Sequence, residues 1–450
     1  MSIDHENIER LASLPEPGET DALRVLKTAS KAKGLSLEEA ATLLAIKEPN
    51  LAGLLIKTAA EVKETVFGKR IVLFAPLYLS NHCTNGCRYC GFRSGSNGIA
   101  RKALSVDEAV TEAQTLEGMG FKRVLLVTGE DPRWGIDYIV SCVRAIYDRT
   151  GIRIVHVNAP PMETDSLKEL KASGAGVYQS FQETYHRPTY ELMHPFGRKK
   201  DYDFRLGVMD RAMEAGFGDV GIGPLLGLYD YRFDALATIS HSLHLYNKFG
   251  AHAHTISIPR LRPAEDGLKD VPMRVTDLEL KKIVAVFRLS VPSAGIVAST
   301  REPASLRAEL IHAGATQLSA ASRTNPGGYA GKEASLEQFS TTDHRGLAEV
   351  MKSVVDEGLL PSLCTACYRV GRTGGDFTGR TIAGEMEKFC QANAILTLKE
   401  YLLDFCSNGT RESVERAIDE GLAGVKDQGL KEALILKLDA LEKGKRDQYF

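Results

Sequence analysis

Eight cysteines are spread over the 450-residue chain, and six of them fall into two spaced sets. Cys83, Cys87 and Cys90 form Cys83-Thr-Asn-Gly-Cys87-Arg-Tyr-Cys90, a CX3CX2C spacing. Cys364, Cys367 and Cys390 form a CX2CX22C set much later in the chain, while Cys142 and Cys406 stand apart. Thiolates are soft ligands, so grouped cysteines in a reducing compartment point to metal before disulfide. Structural zinc wants four closed ligands, and each set supplies three. Three thiolates on a compact loop suit a [4Fe-4S] cluster, whose fourth iron stays open to a ligand that is not protein. A zinc site, or an iron–sulfur protein that only carries its cluster, is the competing reading. Cys142 and Cys406 lie in helical patterns and read as small buried hydrophobes.

The elements that must position these cysteines alternate between strand and helix. Short β-branched runs at 71–78, 123–128, 152–157, 176–181, 219–222, 254–258, 295–299 and 316–319 are predicted strands. Amphipathic stretches at 106–119, 202–215, 233–248 and 304–313 are predicted helices between them. Eight strands in such alternation predict an α/β fold, a (β/α)8 TIM-type barrel with helical N-terminal and C-terminal extensions. The first cysteine set follows the first strand, at the end of the barrel where such folds carry their chemistry. Three regions result: a helical N-terminal extension at 1–69, the barrel at 70–329, and a C-terminal helical region at 330–450. The last is expected to be interrupted by a glycine- and cysteine-rich loop between Cys364 and Cys390.

Composition narrows the setting. Hydrophobic residues make up 43% and charged residues 25%, enough apolar material for a large buried core. The formal net charge of −2 offers no field for nucleic acid or an anionic membrane. No apolar run reaches membrane-spanning length, and the first residues are polar rather than signal-like. A cytoplasmic location is expected.

The CX3CX2C motif after a first barrel strand, with Tyr89 before its last cysteine, resembles the radical S-adenosylmethionine (SAM) superfamily. Thr128-Gly129-Glu130-Asp131, closing the second predicted strand, resembles that superfamily's glycine-rich SAM-binding motif. Further stretches are similar to its aromatic amino acid lyases: Phe181-Gln-Glu183-Thr-Tyr-His, His254-Thr-Ile-Ser-Ile-Pro and Ser299-Thr-Arg301-Glu302. The CX2CX22C set is similar to the branch of tyrosine lyases that serve [FeFe]-hydrogenase maturation.

This resemblance implies two clusters and two stages. Cys83, Cys87 and Cys90 are implied to hold a [4Fe-4S] cluster that works with SAM, with Tyr89, Glu130 and Glu183 close to SAM. Arg301 is implied to clamp an amino acid carboxylate, with Tyr78 and Ser319 as further substrate contacts. Cys364, Cys367 and Cys390 are implied to hold an auxiliary [4Fe-4S] cluster, with His254 on a labile fifth iron that also binds cysteine. The implied reaction cleaves L-tyrosine at Cα–Cβ to p-cresol and dehydroglycine, then converts dehydroglycine to carbon monoxide and cyanide. The implied partners are SAM, L-tyrosine, an electron donor and hydrogenase-maturation proteins. Read as residues alone, Tyr78 and Ser319 are also compatible with packing, and Arg301-Glu302 with a surface ion pair. Arg323, Lys332, Arg369 and Arg372 read either as anion-attracting groups or as solvated loop charges.

Two stretches depart from that branch. Val127-Thr-Gly-Glu130 looks more like the thiamin-pathway lyase, and Asn158-Ala-Pro-Pro-Met162 places two prolines at a strand end where amide donors are lost. The alternative is therefore a lyase of the same scaffold acting on another amino acid or in a pathway unrelated to hydrogenase.

Overall fold

A computed structural model describes residues 1–96, 98–264, 267–331, 337–406 and 408–450. Strands β1 (Arg70–Ser80), β2 (Arg123–Thr128), β3 (Ile154–Asn158), β4 (Val177–Gln179), β5 (Asp219–Ile222), β6 (Thr255–Ser257), β7 (Gly295–Ala298) and β8 (Gln317–Ser319) are all parallel. They follow one another in order, and β1 pairs with both β8 and β2, so the sheet closes into a barrel. Strands covered on both faces need continuous apolar runs, and β1 supplies one in Ile71-Val-Leu-Phe-Ala-Pro-Leu-Tyr-Leu79.

The helices between strands start where the sequence caps them. Ser105 with Glu108, and Thr276 with Glu279, form reciprocal capping boxes for Val106–Gly118 and Asp277–Ser290. The predicted helix at 202–215 is two helices, Tyr202–Leu206 and Val208–Glu214, interrupted at Gly207. Ahead of the barrel lie His5–Ala12, Glu19–Ala29, Leu37–Leu44 and Pro49–Phe67, the last packed on Asp277–Ser290. No described helix is long and apolar enough to cross a membrane.

The C-terminal region is not purely helical. Strand β9 (Leu360–Ser362) extends the sheet by pairing with Arg70–Val72, the first residues of β1. This three-residue strand carries a proline at its centre, which hides it from any periodicity argument. The expected loop between Cys364 and Cys390 holds the helices Ala366–Arg369 and Gly374–Ile382, and Cys390 itself sits inside the helix Met386–Asp404. Cys142 is fully buried in Ile136–Arg149, as expected of a small hydrophobe. Cys406 is not helical: it follows the end of Met386–Asp404, half-buried, with Sγ 3.0 Å from Thr410 Oγ1.

β1 thus joins two distant places. Its C-terminal end feeds the Cys83–Cys90 loop, and its N-terminal end lies beside the strand that delivers Cys364. Eleven residues at a strand rise of ~3.3 Å set these ends about 33 Å apart.

Candidate active site

A register shift between Tyr78 and Ser80 bends the end of β1 into the first cysteine loop. Asn85 fastens that loop. Its Nδ2 donates to Glu130 Oε2 at 2.7 Å and lies 3.7 Å from Cys83 Sγ, while its Oδ1 accepts from the Lys199 amide at 2.9 Å. The Thr84 amide and hydroxyl both donate to the Glu130 carbonyl, at 2.8 and 3.1 Å. A Cβ on Gly129 would stand 2.3 Å from the His82 carbonyl oxygen, so the close approach of this turn to the cysteine loop requires glycine. Tyr89 turns its hydroxyl away to His194 Nε2 at 2.8 Å, and its ring lines the cavity.

Burial pushes the Cys87 thiol up to about 12 against the pull of Lys199, and raises Cys90 as well. Thiols this costly to ionise alone suit metal ligation, where the metal's charge holds the thiolate. Among the described residues no three His, Cys, Asp or Glu side chains gather tightly enough for a single ion. Thiolates of a cubane each bind a different iron and stand apart.

Beside the three cysteines lies a cavity of about 230 Å³ whose wall includes Glu130, Glu183, Arg301, Tyr78 and Ser319. Glu183 has a positive φ of 71°, a strained backbone for a side chain of its size. Its carbonyl accepts from Leu225 N at 2.7 Å, and its carboxylate pairs with Lys199 at 2.6 Å. Burial alone would raise that carboxyl, but Lys199 and Arg205 outweigh it and hold it below the ordinary range. Tyr78 donates to Gln338 Oε1 at 2.8 Å, and Gln338 Nε2 lies 3.7 Å from Cys90 Sγ. Ser319 Oγ accepts from Thr300 N at 3.2 Å.

Arg301 is not half of a surface pair. Glu302 is buried and taken by Arg260 and by Arg262, the latter at 3.0 Å. Arg301 instead lies 3.4 Å over the Phe339 ring and pairs with no carboxylate among the described residues. Burial lowers its pKa, with Tyr78 and Glu183 opposing. A buried guanidinium facing a cavity is a site for a planar anion such as a carboxylate.

At the other end of the barrel, Cys364, Cys367, Cys390 and His254 line one smaller cavity of about 40 Å³. Burial pushes Cys367 up to about 12 and raises Cys390. His254, just before β6, has Nε2 2.9 Å from the Tyr368 hydroxyl, and Nδ1 3.2 Å from Asp219. Arg123 donates to the Cys364 carbonyl at 2.6 Å. The two cavities share Arg123, Gln317 and Tyr368. Along this wall, Arg123 Nε and His156 Nδ1 are buried without a hydrogen-bond partner. Of the loop cations, Arg369 is engaged by Asp447 at 2.6 Å and Arg372 by the Phe450 carbonyl, while Arg323 is exposed. Lys332 lies outside the described residues.

Sequence reasoning missed Asn85, Lys199, Gln338, Arg123 and His156. Asn85 lay in view between two ligand cysteines. The others carry no motif and reach the cavities from separate turns of the chain, so only folding reveals them.

Comparison with known proteins agrees with this geometry. Residues 77–239 match the radical SAM superfamily, and residues 257–360 match the biotin and thiamin synthesis associated domain. The chain is 35% identical over 324 residues to 2-iminoacetate synthase of Escherichia coli, covering 71% of this chain and 85% of that one. A crystal structure of HydG, a maturase of the [FeFe]-hydrogenase, superposes with a TM-score of 0.95 at 44% identity, covering 100% of this chain and 99% of that one. HydG from Carboxydothermus hydrogenoformans superposes at 0.83 with 38% identity, covering 96% of each chain. The chain belongs to the radical SAM superfamily, within the family of lyases that contains 2-iminoacetate synthase and HydG, and a [4Fe-4S] cluster working with SAM goes with that membership.

Proposed function

We propose that the protein cleaves L-tyrosine at Cα–Cβ to p-cresol and dehydroglycine, and that dehydroglycine becomes carbon monoxide and cyanide at the far end of the barrel, for assembly of the [FeFe]-hydrogenase active site. The observation that carries this reading is the wall of Arg123, Gln317 and Tyr368 common to both cysteine-lined cavities.

Cys83, Cys87 and Cys90 hold the first [4Fe-4S] cluster, which, when bound with SAM, supplies the 5′-deoxyadenosyl radical. Glu130 and Glu183 are acceptor-only carboxylates, suited to the ammonium group of SAM. Asn85 and Lys199 keep them ionised and aimed. Arg301 binds the tyrosine carboxylate through its two-pronged face while Phe339 covers the ring-like plane of the guanidinium. Tyr78 and Ser319 offer hydroxyls to the substrate from adjoining strands β1 and β8. The buried position of these groups keeps water from the reacting atoms.

Dehydroglycine keeps its carboxylate, so the unpartnered Arg123 and His156 nitrogens give it polar stations inside the barrel. Enclosure matters because an imine hydrolyses in water. Cys364, Cys367 and Cys390 hold a second [4Fe-4S] cluster with His254 and a bound cysteine on a labile fifth iron, which, when bound, supplies the place where carbon monoxide and cyanide are collected. Hydrogenase-maturation proteins would then be the recipients. Pro160, on the cavity wall with its carbonyl accepting from Tyr178 at 2.7 Å, favours a second reading in which another amino acid occupies the same pocket.

The test separates the ends. Cys87→Ala should abolish SAM cleavage, whereas Cys367→Ala should leave p-cresol formation largely intact and stop carbon monoxide release. Equal loss of both products in the two variants would sink the two-site scheme.

A further inference from the structure

The first cysteine loop is open to the surface on one side, and that side has its own character. Phe196 packs its ring on Gly86, where a Cβ would come within 2.4 Å, and its carbonyl accepts from the Gly86 amide at 3.1 Å. Arg88 N donates to the Met193 carbonyl at 3.1 Å. The segment 192–200 is thus bonded directly to the backbone between the cluster cysteines. Its outer face leaves Leu192 54% and Phe196 50% exposed, unusual for side chains of that size. Around them stand Arg88, Arg198 and Lys200, all exposed and none in an ion pair with a described residue. Glu191 opposes them on the preceding helix, while Asp201 caps the next helix through Phe204 N at 2.9 Å. An apolar centre with an unneutralised basic rim stands out on a chain whose net charge is −2.

We propose that this surface, formed by Leu192, Phe196, Arg198, Lys200 and Arg88, docks a small acidic one-electron carrier protein that reduces the cluster held by Cys83, Cys87 and Cys90. The inference rests on the family assignment and not on the identity of the amino acid substrate. The carrier gives up one electron, the cluster accepts it, and no proton or atom changes hands. A basic rim steers an acidic partner and sets its orientation, and the apolar centre holds it once water is displaced. Docking here sets the carrier against the loop that binds the cluster, with Phe196 between them.

The experiment uses the holoenzyme with both clusters and the double variant R198E/K200E, which leaves every cluster- and cavity-lining residue in place. The probe is a two-cluster bacterial ferredoxin, titrated calorimetrically at low and at raised salt. The native protein should bind it with an affinity that falls as salt rises, and the variant should bind it about tenfold more weakly with a shallower salt dependence. Deoxyadenosine formation driven by reduced ferredoxin should fall by a similar factor, while formation driven by dithionite stays unchanged. An unchanged ferredoxin affinity in the variant overturns the proposal, and so does an equal loss of the ferredoxin- and dithionite-driven rates.

Discussion

Arg301 offers a prediction in which binding and stability should move in opposite directions. In the ligand-free protein its guanidinium is buried, stacked on Phe339, and unpaired with any described carboxylate. Arg301→Met keeps the length and removes the charge. A substrate carboxylate held by two charge-assisted hydrogen bonds gains roughly 1.5–3 kcal/mol from each, so losing both costs about 3 kcal/mol at the low end. That is a weakening of roughly 150-fold. The fold should not suffer, because the substitution also removes a buried cation that nothing compensates, and the melting temperature should hold or rise. The assay compares L-tyrosine with tyramine, which lacks the carboxylate, by anaerobic calorimetry on native and variant holoenzyme. The native protein should prefer L-tyrosine by about two orders of magnitude, and Arg301→Met should erase the preference. A variant that still discriminates between the two ligands as the native protein does would refute the role of this guanidinium.

His156→Phe retains a ring against Tyr368 but removes the unpartnered nitrogen from the barrel interior. p-Cresol yield should hold while carbon monoxide per p-cresol falls several-fold, and an unchanged ratio would remove His156 from the path. Asp343 is buried between Arg307 and Arg345; burial would raise its carboxyl, but these partners hold it down to about 2. A depressed carboxyl stabilises the fold above the unfolded value near 3.8, and that contribution disappears as pH falls toward 2. Asp343→Asn should therefore cost on the order of 2 kcal/mol at pH 7, shrinking below pH 4, as read by denaturant unfolding. Since Arg307 also binds the Ser319 carbonyl, the same variant should loosen the substrate end of β8. Asp234 has the opposite sign: burial raises its carboxyl to about 7 despite hydrogen bonds from Tyr185 N and Thr184. Its neutral form is the favoured one, so stability is lost as pH rises through 7, and Asp234→Asn should gain on the native protein between pH 5 and pH 9. A constant difference over that range would contradict it.

The strands were legible because their chemistry is local. The stretches 123–128 and 219–222 form strands with the bounds their β-branched runs suggest, since a parallel barrel strand buried on both faces must be apolar throughout. The cysteine spacings were equally plain, for ligands to one cluster must lie on one short loop or be returned to it. Gly207 and β9 were not legible. Gly207 divides a helix only through its surroundings, and a three-residue strand with a central proline exists because Arg70–Val72 offers it a free edge.

By itself the sequence determined the parallel barrel, the two cysteine sets and the residues between them that carry chemistry. Tertiary structure alone decided what those residues face. Arg301 and Glu302 are neighbours in sequence, yet one lines the cavity and the other is locked to Arg260 and Arg262. Arg123 and His156, from adjacent strands, and Gln317, from β8, meet along one wall between the two ends. The physical reason is that spacing governs only neighbours along a strand or helix. Which unpaired charge or orphaned nitrogen ends up facing an enclosed cavity is set by closure of the barrel, a property of all eight strands together.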